Sequence, residues 1–271
     1  MNLALRKYNR IFMAGIQTHL IYRINYFILS FAQLCPIVTV LMVWFAIFDS
    51  SSQTAIKGYT MPRIVTYYLV STLVGKVMSL WFLDYEIASD IRNGQINRFL
   101  LRPVDYLWYQ WSMVLSQKAI ILMSLGIPLG ILYYALRHLY LPPADVSMLW
   151  IITLSSLIGL FLNFIITYCA GLIAFWLLEV SSLFFIYYIL MFFLSGGMFP
   201  LDLIPQPYYG MMKWFPFQYM GFFQTKLYLG DLTWAQAWNG LFIQLLWVGI
   251  LYCLARWIWF RGCHRYNAFG G

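Results

Sequence analysis

Residues 149–177 of this 271-residue chain read LWIITLSSLIGLFLNFIITYCAGLIAFWL, a run without one charged side chain. A helix needs about 20 mainly apolar residues to cross the hydrocarbon core of a bilayer, so this run is long enough to span it. Five other runs are also long and mainly apolar: 26–48, 64–83, 107–134, 183–199 and 238–260. None alternates as a barrel strand does. The sequence therefore predicts an all-α integral membrane protein with six transmembrane helices, forming a single domain over residues 1–271.

The composition supports the same class. Hydrophobic residues make up 62% of the chain and charged residues 10%, whereas an ordinary soluble domain is about 25% charged. The net charge is +8, but the basic residues lie between apolar runs instead of forming one patch, which disfavours nucleic-acid binding. The four cysteines show no metal-ligand spacing and are interpreted as small apolar residues.

The basic residues that are predicted to lie outside the membrane are divided unequally between its two faces. Six spans place both termini on one face, and that face carries ten of them: Arg6, Lys7, Arg10, Arg23, Arg92, Arg98, Arg102, Arg256, Arg261 and Arg265. The other face carries five: Lys57, Arg63, Arg137, Lys213 and Lys226. Because cytoplasmic loops are enriched in Lys and Arg, both termini are predicted to lie in the cytoplasm.

Residues 1–25 precede the first span and show helical periodicity. Tyr8, Phe12 and Ile16 recur at four-residue steps, while Arg6 and Arg10 share the opposite side. This pattern predicts an amphipathic helix that lies along the cytoplasmic lipid headgroups. The alternative is a helix packed on the bundle.

Residues 84–106 link the second and third predicted spans and form the most charged stretch of the chain; we refer to them as the charged segment. Ile87 and Ile91 lie one helical turn apart, Gly94 offers a break, and Pro103 cannot continue a helix. A short helix with an apolar edge and a charged rim is typical of an element that docks into a partner's groove. The alternative is a solvated surface helix.

Residues 196–237, the Pro-rich segment, combine several prolines with many aromatic residues. A solvated loop would be more polar, and a spanning helix would not tolerate so many prolines, because each removes a backbone donor that lipid cannot replace. Short helices that re-enter the outer leaflet satisfy both constraints, so the segment is predicted to cap the outer end of a pathway. The alternative is an aromatic belt that rests on the membrane.

No residue pattern for covalent chemistry is present. The histidines lie outside the predicted spans, and the acids lie in loops or at span ends, which disfavours an enzyme and an ion-coupled carrier. The chain has no GxxxxGK[ST] motif, so it is not expected to bind ATP itself. It is also not expected to bind a metal or another cofactor. Lys118 and Asn163 lie inside spans, where they either line a pathway or form hydrogen bonds between helices.

Two motifs resemble those of the membrane subunit of type-2 ABC exporters, the ABC-2 permeases, in their short six-span bacterial form. The first is EIASDIRNG at 86–94 followed by FLLRPV at 99–104. The second is SGGMFPL at 195–201, followed by IP at 204–205 and WFP at 214–216. The resemblance covers nearly the whole chain, including the order of its parts.

The resemblance implies a permease that pairs with a second permease, identical or related, in the bacterial plasma (inner) membrane, with ATP and magnesium bound by separate cytoplasmic ATPase subunits. It implies an ATPase-coupling role for Glu86, Ile87, Asp90, Ile91, Arg92, Gly94, Phe99, Leu100, Arg102 and Pro103. It implies an outer gate formed by Gly196, Gly197, Phe199, Pro200, Pro205, Trp214 and Pro216. Two other functions stay open: a membrane scaffold that binds a partner without moving cargo, and, less favoured, an ion-coupled transporter.

Overall fold

The computed structural model describes residues 3–32, 34–51, 54–80, 82–177 and 179–266. Positions 1, 2, 33 and 81, which belong to the predicted N-terminal helix and the first two predicted spans, lie outside these ranges. Twelve α-helices occur in the described residues: α1 (Leu3–Ile21), α2 (Arg23–Ala32), α3 (Leu34–Ser51), α4 (Met61–Met78), α5 (Leu83–Arg92), α6 (Asn97–Leu100), α7 (Tyr106–Leu136), α8 (Leu149–Leu172), α9 (Ser181–Leu194), α10 (Tyr208–Met212), α11 (Phe222–Tyr228) and α12 (Trp234–Arg265).

Five helical runs are long and apolar enough to cross a membrane, which confirms the prediction of an all-helical membrane protein. They are Arg23–Ser51, Met61–Arg92, Tyr106–Leu136, Val146–Phe175 and Trp234–Arg265. Two of these runs are the continuous helices α7 and α12, whose 31 and 32 residues correspond to roughly 46 to 48 Å at about 1.5 Å per residue. Because the hydrocarbon core is about 30 Å thick, the ends of these runs extend into the headgroup regions.

The predicted fifth span, 183–199, is shorter than expected. Its helix, α9, has 14 residues and ends at Leu194, which gives only about 21 Å of helix. The chain then turns at Gly196, whose φ of +79° lies in the left-handed region that glycine adopts without steric cost. The prediction that the helix continues to Phe199 is therefore wrong.

The centre of the bundle is formed by α4 and α8. Helix α8 packs against α4, α5 and α12, and α4 also packs against α3, α7 and α11. Large side chains on these two helices are fully buried, among them Tyr67, Phe164 and Tyr168. By contrast, α3, α9 and α12 expose many large apolar side chains. Such faces are typical of contact with lipid or with another membrane subunit.

Helix α1 packs along the first half of α7. Gly15 lies so close to α7 that a Cβ atom there would collide with the hydroxyl group of Ser116. Lys7 Nζ donates a hydrogen bond to the carbonyl oxygen of Pro103, 2.5 Å away, just before α7 begins. These contacts favour the alternative in which the N-terminal helix packs on the bundle.

Helix α5 is held against α8 by one close approach. A Cβ atom on Gly171 would lie 2.7 Å from Ile87 Cβ and 3.0 Å from the carbonyl oxygen of Asp84. Both neighbours belong to the backbone or to the stiff base of a β-branched side chain. The glycine therefore sets how closely the charged segment can approach the bundle.

We expect Gly171→Ala to destabilise the protein by about 1 to 3 kcal/mol, because the added methyl group overpacks this contact. The measurement is the thermal unfolding midpoint of the purified chain in detergent. Gly126→Ala is the matched control, since a Cβ atom on that α7 glycine meets nothing within 4 Å. An equal shift of the midpoint in both variants would contradict the packing argument.

Candidate functional site

The charged segment folds as two short helices, α5 and α6, on one end of the bundle. Ile87 and Ile91 on α5 are only 0% and 4% exposed, because they pack in the cluster that surrounds α8. The apolar edge that the sequence analysis assigned to a partner's groove is therefore occupied within this chain. That part of the prediction needs correction: the two isoleucines position α5 and do not offer a contact surface.

The exposed part of the charged segment lies in and after α6. Arg98, Leu100, Arg102 and Pro103 are exposed there, and Glu86 is exposed on α5. Leu101 is 86% exposed, the largest exposed fraction of any large apolar side chain among the described residues. Leu101 belongs to the FLLRPV motif but not to the coupling set that the resemblance implied. An apolar side chain so fully exposed beside charged groups is typical of a partner contact.

The remaining members of the predicted coupling set hold the segment in place. Asp90 accepts a hydrogen bond of 2.8 Å from the hydroxyl group of Tyr106, and the ring of Phe99 packs edge-on against Tyr106 at 4.8 Å. Gly94 turns the chain with a φ of +72°. Nε and Nη2 of Arg92 are buried without a hydrogen-bond partner among the described residues.

Helix α4 stops at Met78, and α5 begins at Leu83, so the second span is broken before the charged segment. The two polar residues predicted inside spans both contact this break. Lys118 on α7 donates through Nζ to the carbonyl oxygens of Lys76, at 3.2 Å, and of Ser79. Asn163 on α8 donates to the carbonyl oxygen of Met78 at 2.6 Å. Both side chains therefore form hydrogen bonds between helices.

These hydrogen bonds stabilise the fold because they lie at the end of a helix. The last carbonyl groups of a helix have no partner within the helix, and hydrocarbon offers no water to replace one. An ammonium group at a helix C-terminus also interacts favourably with the helix dipole. Lys118 is 3% exposed, so its charge is sheltered at the same place where the carbonyl groups require donors.

Further polar side chains connect the break to α9. The hydroxyl group of Tyr187 donates to Asn163 Oδ1 at 3.3 Å, and that of Tyr188 donates to Asp84 Oδ1 at 2.5 Å. Asp84 is completely buried. Hydrogen bonds near the break thus link α4 to α7 and α8, α8 to α9, and α5 to α9.

The Pro-rich segment is bound to the opposite end of α4. The hydroxyl group of Tyr67 donates to the carbonyl oxygen of Gly196 at 2.6 Å, and that of Tyr68 donates to the carbonyl oxygen of Met198 at 2.9 Å. These tyrosines supply donors to backbone that is not helical. Pro200 and Pro216 are buried, while Pro205 is exposed.

Two other residues of the predicted gate lie beside α9. A Cβ atom on Gly197 would lie 2.9 Å from the ring of Phe192, and the ring of Phe199 packs edge-on against Phe193 at 5.2 Å. The turn at the end of α9 is therefore tightly packed.

Trp214 does not have the position expected of a buried gate residue. Its side chain is 79% exposed, while its backbone N–H donates to the carbonyl oxygen of Met211 at 3.3 Å and its carbonyl oxygen accepts from Trp247 Nε1 at 3.2 Å. Trp214 is therefore not a buried aromatic wedge in this structure. An exposed indole near the end of a span is typical of an anchor at the lipid–water interface.

Charged residues link parts of the Pro-rich segment to one another and to α4; we refer to Arg63, Asp202, Lys226 and Asp231 as the Lys226 cluster. Lys226 Nζ lies 2.8 Å from Asp202 Oδ2 and also pairs with Asp231, which in turn pairs with Arg63. The hydroxyl group of Tyr59 donates to Asp202 at 3.0 Å. Burial and the neighbouring Asp202 carboxylate raise the pKa of Tyr59, so it remains a donor.

A second network, which sequence analysis missed, lies between α8, α11 and α12. Gln224 Nε2 donates to Ser155 Oγ at 2.8 Å, and Ser155 Oγ donates to Gln244 Oε1 at 2.9 Å. Both glutamines donate to the carbonyl oxygen of Tyr219 as well. All three side chains are fully buried, so the network holds the Pro-rich segment on the bundle. Across the described residues, no three His, Cys, Asp or Glu side chains are grouped so as to hold a metal ion.

We expect Lys118→Met to destabilise the protein by roughly 1 to 3 kcal/mol, because buried carbonyl groups at the end of α4 lose their donor. Thermal unfolding in detergent is the measurement. Lys76→Met is the control: it removes the other lysine of this region but leaves those hydrogen bonds in place. Equal unfolding midpoints for the two variants would show that the ammonium group does not support the break.

We expect Lys226→Met to loosen the Pro-rich segment, since Asp202 and Asp231 would lose the cation they share. Chymotrypsin should then cleave this segment faster, because it cuts after exposed aromatic residues such as Tyr208 and Phe215. Lys213→Met is the control, since the Lys213 side chain forms no ion pair with the described residues and contacts the ring of Tyr209 at 4.6 Å. If both variants are cleaved at the wild-type rate, the cluster does not hold the segment.

Comparison with known proteins agrees with these features. A family profile described as "ABC-2 family transporter protein" matches residues 34–270. A search of curated proteins finds no match to this chain. The matched range includes both motifs from which the resemblance was inferred, and it covers far more than half of the 271 residues. The chain therefore belongs to the ABC-2 transporter family, as a multi-pass membrane component and not as the ATPase.

Proposed function

We propose that this chain is the permease subunit of an ATP-driven exporter in a bacterial plasma membrane. It pairs with a second permease and with two cytoplasmic ATPase subunits, which bind ATP and magnesium. Both termini lie in the cytoplasm, as the excess of basic residues on that face indicates. Family membership supports the class of protein, and the arrangement of the charged segment supports its role.

The observation that carries the proposal is that the charged segment is packed against the bundle at one end and exposed at the other. Its exposed end presents Leu100, Leu101 and Arg102 away from the bundle, while Ile87 and Ile91 fix α5 to α8. A solvated surface helix needs no such anchoring. An element that is rigidly packed on one side and exposes apolar groups on the other is suited to receive a movement from a partner and pass it inward.

Helix α4 connects this receiving element to the far side of the bundle. At one end Lys118 and Asn163 hold the carbonyl groups of its last turn. At the other end Tyr67 and Tyr68 hold the backbone of the Pro-rich segment. A shift of the charged segment relative to α7 and α8 would therefore displace α4 and, with it, the segment proposed as the outer gate.

ATP can drive this movement only if it binds the two conformations of the complex with different affinity. Closure of the ATPase dimer would then favour the permease conformation in which the outer gate is open. Apart from the buried Asp84, the described acids lie at the ends of the bundle, and the spans are mainly apolar. This composition favours a bulky amphipathic cargo among the glycans, lipids, peptides, drugs and ions that the family resemblance implies.

We expect Leu101→Asp to lower co-purification of the ATPase by at least about tenfold, because it places an unpaired charge in an apolar contact. Insertion and unfolding temperature should stay unchanged, since Leu101 is exposed. Val146→Asp is the control: Val146 is 70% exposed and lies at the other end of the bundle.

An unchanged yield of complex with Leu101→Asp would remove this surface from the proposal. The scaffold alternative has a separate signature. If the ATPase binds the wild-type chain, but its hydrolysis rate is the same with and without the permease, the chain is a scaffold. If transport continues without ATP and stops when the proton gradient collapses, the ion-coupled alternative holds.

A further inference from the structure

A groove of about 560 Å³ lies between α1 and the first turns of α7. Arg6, Tyr8, Asn9 and Phe12 line it from α1, and Trp108 and Trp111 line it from α7. No acidic side chain is among the described residues that line it. The family match begins at residue 34, so α1 lies outside the matched range.

The walls of the groove are held in place without a ligand. Trp108 stacks on Phe161 of α8 at 5.9 Å, and Trp111 packs edge-on against the same ring at 4.8 Å. On the other side, the close approach of Gly15 to Ser116 fixes α1 to α7. A preformed groove loses less conformational entropy when it binds, which favours occupancy.

The groove also lies at the depth of the lipid headgroups. Helix α7 has 31 residues, or about 46 Å of helix, so its first turns extend beyond a hydrocarbon core of about 30 Å. Tryptophan is enriched at this depth. Arg6 is exposed, and no carboxylate among the described residues lies within ion-pair distance of it.

We propose that the groove binds the headgroup of an anionic phospholipid of the surrounding bilayer. The planar guanidinium group of Arg6 matches a phosphate group with two parallel hydrogen bonds. The rings of Trp108, Trp111 and Phe12 cover the glycerol and the upper part of the acyl chains. This site is independent of transport and does not require the proposed function.

The test measures lipid binding to the purified full-length chain in detergent, by native mass spectrometry with added phosphatidylglycerol or phosphatidylcholine. The wild-type chain should retain phosphatidylglycerol in preference to phosphatidylcholine. Arg6→Gln should weaken phosphatidylglycerol binding about tenfold, as expected for the loss of one charge-assisted contact. Arg10→Gln is the matched control, because it removes the same charge one turn further along α1 from an exposed residue outside the groove.

A second variant tests the shape of the groove without changing its charge. Asn9→Trp should fill the groove and reduce phosphatidylglycerol binding, although Arg6 is retained. Because Asn9 and Arg6 are exposed, the unfolding temperature should stay at the wild-type value. Equal losses with Arg6→Gln and Arg10→Gln would overturn the proposal, since a diffuse attraction of basic residues to anionic lipid predicts that result. Photo-crosslinking from position 9 to a protein chain instead of a lipid would overturn it as well.

Discussion

The structure depends on how the end of α4 satisfies its backbone carbonyl groups without water. A helix that stops inside a bilayer leaves acceptors that lipid cannot bind. Lys118 and Asn163, from two different helices, supply the donors. The break is therefore a junction of three helices, and its stability requires all three to stay together. Lys118, which donates to carbonyl groups at the end of α4, therefore lies beside the start of the charged segment.

Because α4 ends at Met78, the chain can turn and place α5 against α8. Gly171 permits this close packing, and Ile87 fills it. The apolar face of α5 is therefore buried within the chain, and the surface that we propose for a partner lies further along, at Leu101. The charged segment is thus anchored to the bundle at α5 and exposed at Leu101. This separation suits the proposed transmission of a movement from the ATPase to the permease.

The same backbone constraint governs the Pro-rich segment. Its prolines prevent a continuous helix, and the freed carbonyl groups at Gly196 and Met198 accept hydrogen bonds from Tyr67 and Tyr68. Both tyrosines belong to α4. One helix therefore supports irregular backbone at one end and has its own last turn supported at the other, which links the two regions proposed to act in transport.

The sequence by itself determined the membrane class, the helical fold, the two irregular segments and the family motifs, because hydropathy and proline content act locally. It did not determine which neighbour each apolar side chain meets. Hydropathy predicts that Ile91 and Trp214 avoid water, but only the tertiary structure decides that Ile91 packs inside the chain and that Trp214 is exposed. The hydrogen bonds of Lys118 were undetermined for the same reason: they join residues that are distant in sequence and become neighbours only when α4 and α7 pack together.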